Sequence, residues 1–379
     1  MNYISWQMLT GDRAKYIGLI FAIAFATFLM SHQVSIFCGL MNRTTSQIDD
    51  VEDAPVWVMD SKTQYVDETK ALTDQDLFRV RGVEGVDWAV PLFKGTSRAK
   101  APDGRFRGVI LMGFDDATLV GVPQRMLMGS WEALRNPQTM AVDRAGYEYF
   151  FPGEPLRLGR TLDMNDHTVK IGAIVDSSAP FVNLPVFYTR YSQAIRYVGQ
   201  ERNQMSFVLV KGKPGLSDEE VARRITSATG LKATTRNAFG WETIWYYIAN
   251  TGIPINFGIT VAIALVVGTV VAGQTFYLFT LENLKQFGAL KAIGVTNWRI
   301  VGMILLQALI VGAIGYGLGI AMTAAFFEAT KDNLDLRGFR LLPEIMLGTG
   351  GAVLMIIVLA SIVSVRRVVV LEPAVVFRG

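Results

Sequence analysis

IPINFGITVAIALVVGTVVAGQTFYLFTL, Ile253–Leu281, runs for 29 residues without an Asp, Glu, Lys or Arg. A helix needs about 20 apolar residues to cross a bilayer, so this stretch is long enough with room for tilt. Pro254 falls where the first helical turn would be, a position that tolerates a missing N–H. Three further charge-free stretches pass the same test: Ile17–Leu40, Ile300–Phe327 and Ile345–Val365, of 24, 28 and 21 residues. Four spans therefore account for the chain's apolar character. The 379 residues are only 18% charged and 51% hydrophobic, with a mean hydropathy of +0.31. A soluble chain averages about 25% charged.

The expected division follows from those runs. Residues 1–16 form an N-terminal segment, 17–40 the first span, 41–252 a large domain, and 253–281 the second span. A loop over 282–299, a span over 300–327, a short loop over 328–344, a span over 345–365 and a tail over 366–379 complete it. The first span needs weighing against a cleaved signal peptide, with Arg13 and Lys15 as its basic flank. At 24 residues it exceeds a signal core of roughly 7–15, and no A-x-A-like site follows, so an uncleaved anchor is the reading. Cys38 has no second cysteine to pair with, which excludes a disulfide scaffold.

Charge bias sets the topology. The N-terminal segment, the 282–299 loop and the tail together hold eight basic and three acidic residues, whereas the 41–252 segment holds 25 and 26. Basic loops stay on the cytoplasmic side. Both termini and the 282–299 loop are accordingly expected in the cytoplasm, with 41–252 outside the membrane. The net charge of +3 is too small to imply nucleic-acid binding.

The outer segment is about 24% charged, the texture of a folded soluble domain. Ala54–Met59, Gly108–Gly113, Val169–Val175 and Ser206–Val210 are rich in β-branched residues and read as strands. Ser217-Asp-Glu-Glu220 reads as a capping box with Leu216 and Val221 as a staple, and Thr73-Asp-Gln-Asp76 looks similar. The expectation is an α/β unit over about 50–118 plus 196–240, interrupted by a β-rich subdomain over about 119–195. Catalysis finds no support here. His167 is the segment's only histidine, it has no cysteine, and no G-x-S-x-G occurs. The acidic clusters Asp49-Asp50-Val-Glu52-Asp53 and Asp115-Asp116 read as solvated turns. Nothing in 41–252 reads as a defined pocket, and no substrate-contact residue is assigned.

The loop Glu282-Asn-Leu-Lys-Gln-Phe-Gly-Ala-Leu-Lys-Ala-Ile-Gly294 places Leu284, Phe287, Leu290 or Lys291, and Ile293 at helical spacing. Gly294 is a natural stop after a short helix, and Thr296 or Asn297 can cap the next span. An interfacial helix on lipid head groups is the simplest account. A grip on a cytoplasmic partner is the sharper one.

The same run, with Glu282, Phe287, Gly288, Leu290, Lys291, Ala292, Ile293 and Gly294 in order, resembles the E-x(4)-[FIL]-G-x-[LM]-[RK]-A-[ILM]-G segment of FtsX/MacB-type permeases, the type VII ABC transporter superfamily. Arg366-Arg-Val-Val-Val-Leu-Glu-Pro-Ala374 resembles their closing segment, and the order of spans and domain matches throughout. Ile48–Val58 is similar to a segment of DevC-type permeases. Gln307 stands where these permeases often carry an acidic residue, and no G-x(4)-G-K-[ST] phosphate loop occurs.

The resemblance implies an α+β membrane protein: four transmembrane helices with a large α/β periplasmic domain between the first and second, in a bacterial inner membrane. It implies no enzyme activity or bound cofactor on this chain, ATP and Mg belonging to a separate ATPase dimer. It assigns Glu282, Lys285, Phe287, Gly288, Leu290, Lys291 and Gly294 to ATPase coupling. It further implies a second permease copy, a membrane-fusion adaptor, an outer-membrane channel and export of a lipid, peptide or drug-like substrate. FtsX-like activation of a periplasmic hydrolase and LolC/LolE-like lipoprotein release are the alternatives. A helical lever is expected from about Trp241 through Glu282. Gly315-x(3)-Gly319 is a small-residue ridge for helix packing, within the bundle or between copies, and Ser31, His32 and Gln33 are expected to bond across helices.

Overall fold

The computed structural model describes residues 13–198, 204–331, 333 and 336–370. Most of the expected N-terminal segment, Asp332 and Asp335, and the tail beyond Val370 with Pro373, Ala374 and Arg378 lie outside the described residues. The chain divides into two compact units. One is made of residues 40–251, the other of residues up to 39 together with those from 252 onward.

The first unit is an α/β domain whose sheet begins with β1 (Val56–Met59). Its four residues are buried on both faces. Val56 and Val58 join one cluster with Leu77, Val80, Val221 and Ile225, while Trp57 and Met59 join another with Phe207, Leu209 and Phe239. Alternation sends successive side chains to opposite faces, so an uninterrupted apolar run marks a strand covered on both sides. The first cluster lies under two helices, α2 (Asp74–Arg81) and α5 (Asp218–Thr229). Each starts at a cap that the sequence announces. Thr73 Oγ1 accepts the Asp76 N–H at 3.2 Å while the Asp76 carboxylate accepts the Thr73 N–H at 3.0 Å, closing a capping box. At α5 the box is half made: Ser217 Oγ accepts the Glu220 N–H at 3.2 Å, but the Glu220 carboxylate turns outward to Arg224 Nε at 2.8 Å and to Arg223. Two arginines within reach outcompete one backbone amide for that carboxylate.

The long strand β2 (Val86–Lys100) relates the two halves of the domain. Its first part, Val86–Leu92, pairs antiparallel with β9 (Phe207–Gly212), which pairs in turn with β1; β10 (Lys232–Thr235) lies beyond β1. Its second part, Phe93–Lys100, pairs with β3 (Phe106–Phe114). From β3 the sheet continues through β8 (Val186–Arg190, parallel), β5 (Thr139–Asp143), β7 (His167–Val175, parallel) and β4 (Met126–Gly129). β6 (Thr161–Met164) bridges β7 and the end of β2. The β-rich half is therefore wider than the expected 119–195, because β3 and the end of β2 belong to it. A third buried cluster, with Phe93, Leu111, Tyr147, Phe150 and Phe187, fills that half and takes in residues of α3 (Arg144–Phe150) and α4 (Tyr191–Ala194).

The acidic clusters, expected as solvated turns, close a turn at Asp115 but tie distant segments together at Asp116 and Asp50. Asp115 accepts from the Thr118 N–H at 3.0 Å, Asp116 from the Ser192 N–H at 2.9 Å, and Asp50 from the Ser178 N–H at 3.0 Å.

Among the described residues, four helices are long and apolar enough to cross a membrane: α1 (Arg13–Asp49), α7 (Ile253–Glu282), α9 (Asn297–Thr330) and α10 (Pro343–Val370). Each extends beyond its charge-free run, since hydrogen bonding rather than hydropathy ends a helix. The lever expected from Trp241 through Glu282 is interrupted. Helix α6 (Arg236–Asn250) ends at Thr251, whose backbone is extended at φ −123° and ψ 157°, and α7 starts afresh with Pro254 in its first turn.

Candidate coupling surface

Between α7 and α9 lies α8 (Leu284–Ala292), a nine-residue helix. Asn283 at the junction leaves helical geometry at ψ 6°, and its Nδ2 donates to Phe279 O at 2.8 Å. The far end closes as a Schellman motif. Gly294 takes φ +90°, its N–H donates to Lys291 O at 2.9 Å, and the Val295 N–H reaches Leu290 O at 3.0 Å. Leu290 and Val295 pack against the same buried cluster, the hydrophobic contact that accompanies this motif. Thr296 then occupies the N-cap of α9 with extended backbone, though its side chain makes no capping bond.

The seven motif residues separate into a base and a rim. Phe287 is 0% exposed in the cluster that holds Phe276, Phe279, Ile300 and Met303, and Gly288 is buried beside it. These two residues anchor α8 to the spans and present nothing outward. Leu290 is half-buried in the same contact. Lys291 Nζ donates to Val369 O at 2.9 Å, tying α8 to the end of α10, and burial lowers its pKa. Glu282, Lys285 and Gly294 are exposed.

Two apolar residues complete the rim. Ile293, expected on the apolar face, is 78% exposed because α8 stops at Ala292 and the chain turns there. Trp298 is 85% exposed, and sequence reasoning passed over it. Its signal was legible: a tryptophan between Asn297 and Arg299, outside the charge-free run. The connection between α7 and α9 thus has a buried base and an apolar-plus-charged exposed rim.

The ridge residues Gly315 and Gly319 face α1 of the same chain. A Cβ on Gly319 would stand 2.6 Å from Ala24 O and 2.5 Å from Thr27 Cβ, and one on Gly315 would stand 3.0 Å from Ile20 O. Ser31 and Thr323 hydroxyls, 2.6 Å apart, bond across the same contact. His32 instead packs among the rings of Phe28, Phe326 and Phe327.

Residues 17–228 match the family model of the MacB-like periplasmic core domain, and residues 258–373 match that of the FtsX-like permease C-terminal. An uncharacterized ABC transporter permease of Mycobacterium bovis is 28% identical over 230 residues, covering 59% of this chain and 58% of the relative. Another from Mycobacterium tuberculosis is 24% identical over 229 residues, with the same coverage. This chain thus spans 58% of the length of these curated relatives. Among solved structures, the periplasmic region of MacB from Actinobacillus actinomycetemcomitans is similar at 14% identity, with a TM-score of 0.37, covering 54% of this chain and 96% of that one. The family assignment rests on the two family models, the first of which alone covers more than half of the chain. The chain belongs to the MacB/FtsX-type ABC transporter permeases.

Proposed function

We propose that this chain is a permease subunit that couples ATP hydrolysis on a separate cytoplasmic ATPase dimer to conformational change in its outer domain, driving export. The carrying observation is the division of the α7–α9 connection into a buried base, Phe287 and Gly288, and an exposed rim with Trp298 and Ile293. A gripping element presents large apolar side chains beside charged groups. In this reading the basic connection faces the cytoplasm and residues 41–252 face the periplasm. A second copy of the permease completes the assembly, and a membrane-fusion adaptor and outer-membrane channel complete the export route.

The test is co-expression of the full chain with the candidate ATPase. The wild-type permease is expected to co-purify with it and to stimulate ATP hydrolysis in nanodiscs. Trp298→Ala with Ile293→Ala is expected to lower that stimulation about tenfold or more, as for loss of an interface anchor. Unchanged stimulation in the double variant would remove the rim from the coupling contact. Failure of any P-loop ATPase to co-purify would remove the ATPase reading itself.

A further inference from the structure

The outer domain contains a cavity of about 420 Å³ that no motif in residues 41–252 announces. It opens where β2 exchanges one pairing partner for another. The β9 ladder ends at Phe207 opposite Leu92, and the β3 pairing starts at Phe93. The rung after Leu92 is made by a side chain: Ser206 Oγ accepts the Lys94 N–H at 3.0 Å and donates to Lys94 O at 2.9 Å. Ser206 is thus committed to holding the strand, while Lys94 lies at the cavity wall, 5% exposed.

A buried ammonium must be paired, and Lys94 is paired incompletely. Its Nζ donates to Val66 O at 3.0 Å and to Asp67 Oδ1, which accounts for two of its three N–H groups. Asp67 is satisfied on both sides, since its Oδ2 accepts from the Tyr247 hydroxyl at 3.0 Å. At the rim, Lys70 pairs with Glu68 at 3.1 Å. The charged groups at the cavity are therefore balanced, and among the described residues Lys94 keeps one N–H donor beyond these two bonds, with Thr69 and Gln204 also on the lining. Ile110, Val182, Leu184 and Met205 supply apolar wall.

We infer that this cavity is a binding site for a small uncharged amphiphile, one that places a carbonyl-type acceptor oxygen on Lys94 Nζ and its apolar body against Ile110, Leu184 and Met205. The volume lies at the low end of the roughly 300–1,000 Å³ typical of small-molecule sites. Charge balance is what selects a neutral ligand: an anion would have to compete with Asp67 for the ammonium. The inference goes beyond the coupling function and stands without it, because binding is read with no ATPase present.

The probe is dansylamide, a neutral aromatic amphiphile with sulfonyl acceptor oxygens, titrated into the full-length chain in nanodiscs with empty nanodiscs as background. A saturable fluorescence enhancement is expected. Val182→Trp, at a 50% exposed position on the cavity wall, should abolish it by filling the mouth while leaving the core untouched. The paired replacement Lys94→Met with Asp67→Asn removes donor and counter-charge together, which avoids an orphaned buried carboxylate, and should weaken binding about tenfold, the value of one buried hydrogen bond. Melting of each variant, followed by circular dichroism, verifies its fold. The site is overturned if the wild type shows no saturable enhancement or if Val182→Trp binds as the wild type does. Unchanged affinity in the paired variant overturns the role of Lys94. Tighter binding of the carboxylate-bearing dansylglycine overturns the preference for a neutral ligand.

Discussion

The two units of this chain hold together by different means. In the outer domain, residues 40–251, large apolar side chains meet across sheet faces, with Trp57, Phe207 and Phe239 in mutual ring contact at 5.3 to 5.9 Å. Polar groups there are joined in ion pairs and caps. In the membrane unit, beside the cluster of Phe276, Phe279 and Phe287, several helix contacts depend on what is missing. Gly315 and Gly319 admit α1, Gly312 admits Ile357, and Gly268 admits Ala26. Water drives apolar surfaces together only where water is the alternative, so one part of the chain gains from bulk and the other from close backbone approach. Loss of bulk is therefore the damaging change in one unit, and gain of bulk in the other.

The largest effect is expected at the outer core. Trp57→Ala should destabilise the outer domain by about 3–5 kcal/mol, read as a fall in its urea midpoint in nanodiscs. A shift below about 1 kcal/mol would mean that the aromatic cluster collapses onto the void. Next comes the converse change in the membrane unit. Gly319→Ala should cost about 1–3 kcal/mol, because its new methyl meets the Ala24 carbonyl and the stiff Cβ of Thr27. Gly312→Ala should cost less, since the atom it meets is the Cδ1 end of the Ile357 side chain, which can rotate away. Equal heat resistance of the two variants in detergent would break the argument from backbone approach.

A smaller effect tests the caps. Hydrogen bonding from the Thr73 N–H, aided by Arg79, holds the Asp76 carboxyl below the usual carboxylate range. A depressed acid stabilises the fold above its unfolded pKa of about 3.9, and that contribution disappears as pH falls through the lower folded value. Asp76→Asn should thus cost about 1 kcal/mol at neutral pH and flatten the loss of stability below pH ~4. An unaltered acid limb would place the titration elsewhere. Smallest of all, Trp298→Ala should leave the melting temperature of the permease almost unmoved, within about 0.5 kcal/mol, since the rest of the chain leaves the ring 85% exposed. A large loss of stability there would make Trp298 a packing residue and weaken its place in the coupling rim.

Much of this organisation was legible in the residues. The spans announced themselves by absent charge, the strands at Val56, Val169 and Phe207 by β-branched and aromatic runs, and the stop after α8 by Gly294. The break at Thr251 was hidden because hydrophobicity continues from Trp241 to Leu281 across it. Gly252 and Pro254 were the only marks of it, and a proline in a first turn is equally at home in a longer helix. The double membership of β2 was hidden for another reason. Which strand pairs with which is decided by residues far away in sequence, and Pro91 and Gly95 weaken the local strand signal. The coupling motif could be read as a string, but a string does not say which face is buried. Phe287 and Gly288 read as contacts in the string, and the structure buries both against the spans.

The pairing of β1 also sets a timetable. Val56 meets Val210 on one side and Thr235 on the other, so the first strand made is among the last to be paired. Until α5 and β10 have been translocated, β1 presents open edges and an apolar surface on both faces, while the β3-to-β8 half can already close on itself. Long-range pairing of this kind is slow and leaves sticky intermediates. In pulse-labelled hydrogen exchange, protection is expected to reach Phe106–Phe114 before Val56–Met59. The outer domain would then mature from its middle outward, and it would need protection from aggregation for most of its own synthesis.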